Sequence, residues 1–504
     1  MRGPALAVAL IGITGCVAGG GPPIPLNPVR FLSINDVYVA DTMADGQGGL
    51  ARVATVRRRL ADQGPVLFVL AGDLLSPSLL SKYYNGRQMV EALDSARLDY
   101  ATFGNHEFEL SVDTLNARIA ESKFTWLSSN CTLADGTPFP KVLPWDTVRV
   151  SGHKVGLFGL TLLGGYREQV RCTDPDSAAH LAIDTLAALG ADLIVGITHQ
   201  TLEADRDLLG RESRLDLILG GHEHEAHDSV VSGRHVLKAD ANSRTAQFAT
   251  LWGGKGQWRQ AVGRVHIDNR LPDDSLVAPV VRAWEDSLRQ RLGPERILGR
   301  TTVPIDARDV VGRAQESLLG DLVTDAMRAS THADVAMLNA GTLRLDDVIK
   351  PGPVTNYQLE SIFLFSDETR VISFKLTGAR LREILEHGVA DGSLGKGPFL
   401  QVSGVAFTYD PTAPSGKRIV GNLNHPSGEP IRPTDTLDVA FPVYPACDGG
   451  DGYDVPEAKA GCDSRTSAPR AVDLLGSYIG DSLGGTIAPP AGGRIKKATN
   501  TNPG

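Results

Sequence analysis

Leu215-Asp-Leu-Ile-Leu-Gly-Gly-His-Glu-His224 joins a short apolar run to a turn that carries two histidines two residues apart. In an extended loop alternate side chains face the same way, so His222 and His224 can address one point. Four further runs end in a similar manner. Working back along the chain, Ala191-Asp-Leu-Ile-Val-Gly-Ile197 leads into Thr198-His199, and Leu98-Asp-Tyr-Ala-Thr-Phe103 into Gly104-Asn105-His106-Glu107. Pro65-Val-Leu-Phe-Val-Leu-Ala71 leads into Gly72-Asp73, and Arg30-Phe-Leu-Ser-Ile34 into Asn35-Asp36. Short β-branched or aromatic runs of this kind read as buried strands. In a layered α/β fold, groups just past the carboxyl ends of such strands converge on one crevice. The pattern therefore predicts an α/β protein with five polar motifs gathered at one edge.

The residue types in those motifs suit a pair of metal ions. Two ions can clamp the attacking and leaving oxygens of a phosphoryl transfer and lower the pKa of bound water. A mixture of carboxylate, amide and imidazole donors favours two divalent ions such as Zn, Mn, Co or Fe over Ca, which prefers oxygen alone. Asp73 is the candidate bridge, because a carboxylate has two oxygens to share.

The order Asp36, Gly72-Asp73, Gly104-Asn105-His106-Glu107, His199 and Gly221-His222-Glu223-His224 resembles that of the calcineurin-like metallophosphoesterases. The whole chain is similar to the two-domain 5'-nucleotidase and UDP-sugar hydrolase family. Its second half carries Glu316-Ser-Leu-Leu-Gly-Asp-Leu-Val-Thr-Asp-Ala-Met327, Leu338-Asn339-Ala-Gly-Thr-Leu-Arg344, Lys375-Leu-Thr-Gly378, Phe399-Leu-Gln-Val-Ser-Gly404 and Gly449-Gly-Asp-Gly-Tyr453, which resemble that family's C-terminal domain. The likeness runs from about Val29 to about Leu483. It implies an N-terminal four-layer α/β/β/α metallophosphoesterase domain followed by a C-terminal α/β domain that binds substrate.

Carried over by position, the resemblance implies that Asp36, Asp73 and His224 hold one metal, and that Asp73, Asn105, His199 and His222 hold the other. His106 resembles the histidine that stabilises the transferring phosphoryl group and assists the leaving oxygen. Its supporting acid is usually Asp in the family, and here it is Glu109. A second departure is Tyr38, where the family usually has a histidine ligand to the first metal. The phenol has three readings: a ligand to a hard ion, a hydrogen-bond partner of a water on the ion, or an aromatic packed on the rim.

For the second domain the resemblance implies a grip on the rest of a nucleotide. Asn339 would meet the nucleobase edge with its amide, and the Arg344 fork would meet phosphate or ribose oxygens. Phe365 and Tyr444 would sandwich the base, Asp451 would bind ribose hydroxyls, and Arg313 is a further cation for the phosphate. Seen alone, each of these residues has an ordinary structural reading, and the same is true of a Gly-Asp turn or a lone His199. Only the ordered set points to chemistry. His153, His180, His227, His235, His332, His387 and His425 fit no motif and read as surface or structural.

A chain of 504 residues is long enough for two large domains. Its net charge of −9, with lysines and arginines scattered, argues against a nucleic acid polymer as partner. The expected partner is a nucleotide substrate, and the expected state a monomer. No apolar stretch is long enough to span a bilayer. Met1-Arg2 and the apolar run to Val17 read as an export signal. Ile13-Thr14-Gly15-Cys16 resembles a bacterial lipobox that would lipidate Cys16, the one expected membrane attachment. Cleavage near Ala18-Gly19 is the other reading. Either implies a periplasmic or cell-surface location.

Of the remaining cysteines, local pairing would join Cys131 to Cys172 and Cys447 to Cys462, one of three possible pairings. Free buried thiols are the alternative. The expected boundaries are 1–28 for signal and tether, 29–272 and 298–488 for the two domains, 273–297 for a linking helix and 489–504 for a disordered tail. A hinge is expected around Leu298-Gly299-Arg300. The sequence thus predicts a phosphohydrolase acting on 5'-nucleotides, with UDP-sugars, cyclic nucleotides or a sulfur-carrier adduct as other substrates. A non-enzymatic surface-binding homologue with a degenerate first metal site is the alternative of a different class.

Overall fold

The computed structural model describes residues 27–43, 45–164, 169–254, 256–345, 347–363, 369–390, 393–489 and 492–498. The lipobox at Cys16 and the aromatic Phe365 lie outside the described residues. The chain divides into two compact units after Leu288.

The first unit contains two facing sheets. One runs in the order Arg259–His266, Thr245–Trp252, Val29–Ile34, Val66–Ala71, Tyr100–Thr102, Thr125–Leu127, Val142–Leu143. The other runs His227–Val231, Arg234–Lys238, Leu217–Gly220, Leu193–His199, His153–Thr161, Trp145–Val150. Strand alternation sorts the side chains. Leu67, Val69 and Ala71 join Leu193, Val195, Leu217 and Leu219 in a core between the sheets. Val66, Phe68 and Leu70 point the other way, into a core with Val53 and Val56 of helix Leu50–Ala61 and Met89 and Leu93 of helix Arg87–Ser95. On the far side, helices Pro175–Ala188 and Leu202–Arg211 cover the second sheet through Ile183, Leu186, Leu208 and Leu209. This is the expected α/β/β/α order.

Parallel register brings the motif-bearing strand ends level. Ile34 pairs with Leu70 and Ala71 with Thr102 in the first sheet, and Thr198 with Gly220 in the second. All five predicted strands are present. A disulfide joins Cys131 to Cys172 across a two-stranded ribbon.

The linking helix spans Val277–Leu292, and its residues Val277, Ala278 and Val281 enter the first unit's core. The residues of the expected hinge, Leu298-Gly299-Arg300, lie in regular structure. These residues form the strand Ile297–Thr301, paired on one side with Gly352–Thr355 and on the other with Thr486–Ile487. The pairing is irregular at Leu298, between Ile297 and Gly299, and covers both edges at Arg300 and Thr301. Gly299 serves close packing instead, since a Cβ there would lie 2.5 Å from the Ile479 side chain.

The second unit is built on a four-stranded sheet in the order Val371–Thr377, Thr436–Pro442, Val335–Asn339, Leu400–Ser403. Helices Leu318–Thr331 and Ala471–Ser477 bury one face through Leu322, Val323, Met327 and Leu475. Helix Gly378–Gly388 covers the other through Leu381, Ile384 and Leu385. A second disulfide joins Cys447 to Cys462. The tail also departs from expectation. Residues Ile495–Lys497 form a strand beside Ala406–Tyr409, with Ile495 buried. Glu316 anchors it by accepting the N–H groups of Gly493 and Ile495.

Candidate functional site

The five strand ends of the first unit deliver a single cluster. Donor atoms of Asp36, Asp73 and His199 all lie within 4.8 Å of one another, and all three residues are buried. His199 Nε2 is 3.1 Å from Asp73 Oδ2 and 3.9 Å from Asp36 Oδ1, while its Nδ1 is held by the Ala71 carbonyl at 2.8 Å. His224 Nε2 lies 3.4 Å from Asp36 Oδ1. His222 donates its backbone N–H to Asp36 Oδ2 and sets its ring 5.3 Å from that of His199. Asn105 Oδ1 is buried and meets no hydrogen-bond donor among the described residues. A buried amide oxygen in that condition is costly unless something else takes its lone pairs.

The backbone is bent to make this possible. Asp36, Asp73, His222 and His224 all have left-handed φ values, of 52°, 58°, 92° and 56°. Such residues store strain and concentrate at functional sites. The adjoining glycines leave no spare room: a Cβ on Gly104 would sit 2.0 Å from Asp73 Oδ1, and one on Gly72 2.5 Å from His199 Nδ1.

Glu107 supplies the mould. Its carboxylate accepts the N–H groups of Asp73, Leu74, Leu75 and Gly104 at 2.6–3.0 Å. It therefore ties the Gly72-Asp73 turn to the Gly104-Asn105-His106-Glu107 turn. Burial raises its pKa, and Asp73 adds to the rise. The sequence marks Glu107 only as the last letter of a motif, and its role emerges from the contacts.

Electrostatics agree with a cation site. Burial works against the Asp36 carboxylate, yet the imidazoles of His199 and His224 hold it below the ordinary range. Burial likewise works against a charged His199, and Asp73 and Asp36 more than compensate, raising it to about 9. In this arrangement protons stand where cations would be favoured, and metal binding must displace them.

The Tyr38 hydroxyl points into the cluster. It lies 2.9 Å from His224 Nε2, 3.2 Å from Asp73 Oδ2 and 3.4 Å from Asp36 Oδ1. Ligands bound at roughly 2.0–2.1 Å to one ion sit about 3 Å apart, so these separations suit a shared ion. His106 stands at the edge, its Nδ1 2.7 Å from Glu109 Oε1 and its Nε2 3.8 Å from Asp73 Oδ2. The longer arm of Glu109 reaches its histidine, and Ser76 Oγ holds its other oxygen at 3.0 Å.

In the second unit Asn339 Nδ2 donates to Asp451 Oδ2 at 2.7 Å, while Thr342 donates to Asn339 Oδ1 at 2.7 Å. Burial raises the Asp451 carboxyl, with Asn339, Arg313 and Arg344 working against the rise, so all four groups share one neighbourhood. Tyr444 lays its ring against Gly450, where a Cβ would lie 2.5 Å away. Asp451 adopts a left-handed φ of 55°, and His387, which fits no motif, bonds its carbonyl at 2.9 Å.

Residues 29–226 match the model of the calcineurin-like phosphoesterases, and residues 297–458 that of the 5'-nucleotidase C-terminal domain. The chain belongs to the two-domain 5'-nucleotidase family. A snake venom 5'-nucleotidase from Naja atra is 26% identical, over 90% of this chain and 94% of its own. A 5'-nucleotidase from Homo sapiens is 25% identical, over 90% and 86%. Among solved structures, a 5'-nucleotidase precursor from Thermus thermophilus superposes with a TM-score of 0.78 at 23% identity, covering 94% of this chain and all of that one. A sulfate thiohydrolase from the same organism superposes at 0.73 and 17%, covering 95% and 98%. These two likenesses speak for the fold. Like the family it belongs to, this 5'-nucleotidase homologue is a metal-dependent phosphoesterase, and the donor set described above is its candidate metal centre.

Proposed function

We propose that this protein hydrolyses 5'-nucleotides to nucleoside and phosphate. The observation that carries the reading is the convergence of Asp36, Asp73, Asn105, His199, His222 and His224 beside a histidine that is itself held by a carboxylate. In this reading Asp36, Asp73 and His224 hold one divalent ion and Asp73, Asn105, His199 and His222 the other, with Tyr38 a further ligand to the first. When bound, such ions polarise phosphoryl oxygens and activate water for in-line attack.

The side chains do the rest. Glu109 accepts the Nδ1–H of His106, which fixes the tautomer and stabilises the imidazolium. His106 Nε2–H then faces the reacting group, where it stabilises the phosphoryl oxygens and passes its proton to the departing 5' oxygen. The second domain contributes recognition. Arg344 and Arg313 pair with substrate oxygens, Asp451 accepts from ribose hydroxyls, and Phe365 and Tyr444 hold the base. Asn339 has half its hydrogen-bonding capacity committed to Asp451 and Thr342, and its second N–H and lone pair serve the base edge.

Export fits the two disulfides, which persist in oxidising compartments, and a lipid anchor on Cys16 is part of the same reading. Among the described residues no helix is long and apolar enough to cross a membrane. The completeness of the donor set speaks against a non-enzymatic role, since a decayed site would lose several donors. The deciding experiment is a hydrolysis panel on purified protein supplied with Zn, Mn, Co or Fe. It would compare AMP, UMP, UDP-glucose, a cyclic nucleotide and p-nitrophenyl phosphate. Turnover of a 5'-nucleotide well above the others is the expected result, and no metal-dependent phosphate release from any of them would overturn the reading.

A further inference from the structure

Lys238 ends the strand Arg234–Lys238, where a sequence reader would place a solvated charge, yet its side chain is wholly buried. Its ammonium lies 2.7 Å from the Gln200 carbonyl, 2.8 Å from the Gly221 carbonyl, 2.9 Å from Asp205 Oδ2 and 2.5 Å from Glu223 Oε2. A buried cation needs such a shell to offset its desolvation. The placement of these four oxygens, three of them hydrogen-bond acceptors and the fourth an ion-pair partner, matters more than their number. Gln200 directly follows His199, Gly221 directly precedes His222, and Glu223 separates His222 from His224. Glu223 also accepts the N–H of Leu202, which begins the helix behind His199.

The backbone after Lys238 continues the pattern. Ala239 exchanges hydrogen bonds with the Asn35 amide at 2.6 and 3.0 Å, next to Asp36. Ala241 N–H donates to the His224 carbonyl at 2.9 Å, and Asn242 N–H to the Asp36 carbonyl at 2.8 Å. The Asn242 side-chain oxygen accepts the Tyr38 N–H at 3.0 Å. One short segment thus touches the neighbours of ligands from three separate strand ends.

We propose that Lys238 is a positioning residue for the metal centre, tying the turn after His199 to the turn bearing His222 and His224 so that the three imidazoles hold one geometry. This rests on the metal assignment made above. Its strongest claim is on the ion held by His199 and His222, because the two carbonyls it binds adjoin those residues. Changes to groups that orient ligands typically cost about 10–100-fold in metal affinity.

The test uses full-length protein loaded with Co(II), with affinities from chelator competition and the visible d–d spectrum as a report on ligand geometry. Two variants are needed. Lys238→Gln removes the charge but leaves Asp205 and Glu223 without their cation. The combination Lys238→Met, Asp205→Asn, Glu223→Gln is neutral throughout and keeps a foldable interior. Expected is a folded protein in which one ion binds about 10-fold or more weakly with an altered spectrum, while the other is unchanged. Wild-type protein that fails to bind two ions would sink the metal assignment itself. Wild type binding two ions, with a folded variant matching its affinities and spectrum, would overturn the role of Lys238 alone. Failure of both variants to fold would make Lys238 a core residue and also overturn it.

Discussion

The hydroxyl of Tyr38 and Nε2 of His224 lie 2.9 Å apart, with the carboxylates of Asp36 and Asp73 within 3.4 Å of the same oxygen. The aromatic ring is buried, and its polar end faces the donor cluster rather than the rim. Loading with ferric ion should therefore produce a visible tyrosinate charge-transfer band. Tyr38→Phe should abolish the band and weaken one of the two ions selectively, and Tyr38→His should remove the band while retaining affinity. A protein with the same spectrum and metal content in all three forms would return Tyr38 to packing.

Asp73 accepts the His106 backbone N–H at one oxygen, at 2.9 Å, and places the other 3.1 Å from His199 Nε2. Replacement by Asn leaves a single good ligand oxygen. Asp73→Asn is expected to lose most bound metal together with activity, read by elemental analysis of protein purified without chelator. Unchanged stoichiometry would deny it the bridging place.

His106 is held by Glu109 and donates no side-chain atom to the assigned metal sets. His106→Ala should slow nucleotide hydrolysis by about 10²-fold or more while two ions stay bound, the usual scale for a group that moves a proton or stabilises developing charge. Glu109→Gln should give a smaller loss and move the alkaline limb of the pH–rate profile to lower pH, because the imidazolium that serves as the acid loses its counter-charge. Metal loss in the His106 variant would give that residue a different role.

For recognition, Arg344→Ala should lower kcat/KM for AMP by roughly 10-fold or more, the scale of a lost hydrogen bond to a charged group. It should spare p-nitrophenyl phosphate, which has neither ribose nor base. Parallel losses on both substrates would indicate a folding defect.

The second unit carries a pH signature apart from either candidate site. Burial pushes the Asp321 carboxyl up to about 7, against the pull of Arg494 and with Glu316 and Asp325 adding to the rise. Its folded pKa exceeds its unfolded one, so between about pH 4 and 7 the native state binds the extra proton. Stability from this group is therefore fullest at the acid end and is lost as pH rises through 7. Thermal melts from pH 5 to 8 should show wild type losing more stability with rising pH than Asp321→Asn. Identical slopes would remove the group from the balance.

The fold and the gathering of Asp36, Asp73 and His199 at strand ends were legible because both leave marks in one dimension. Strands end where apolar alternation stops, and the polar motifs follow those ends. The disulfides followed from local pairing. What stayed hidden depended on distant partners. Lys238 reads as a surface charge until Asp205 and Glu223 are seen beside it. Glu107 reads as a motif letter until four N–H groups are counted around it. Gly299 looked like a joint because glycine permits bending, whereas here it permits a close approach. The strand Ile495–Lys497 is three residues in a Gly- and Pro-rich tail, and Glu316 and the strand at Phe407, distant in sequence, give it a place.

The position of Val29–Ile34 in the first sheet sets a schedule for synthesis. This strand emerges early, yet it lies between Val66–Ala71 and Thr245–Trp252, with Val29 opposite Leu251. Until residue 252 has left the ribosome, one long edge of this interior strand has no partner, and Asp36 lacks the Asn242 N–H that bonds its carbonyl. The pairing that completes this strand therefore comes only after most of the first unit's length has been synthesised.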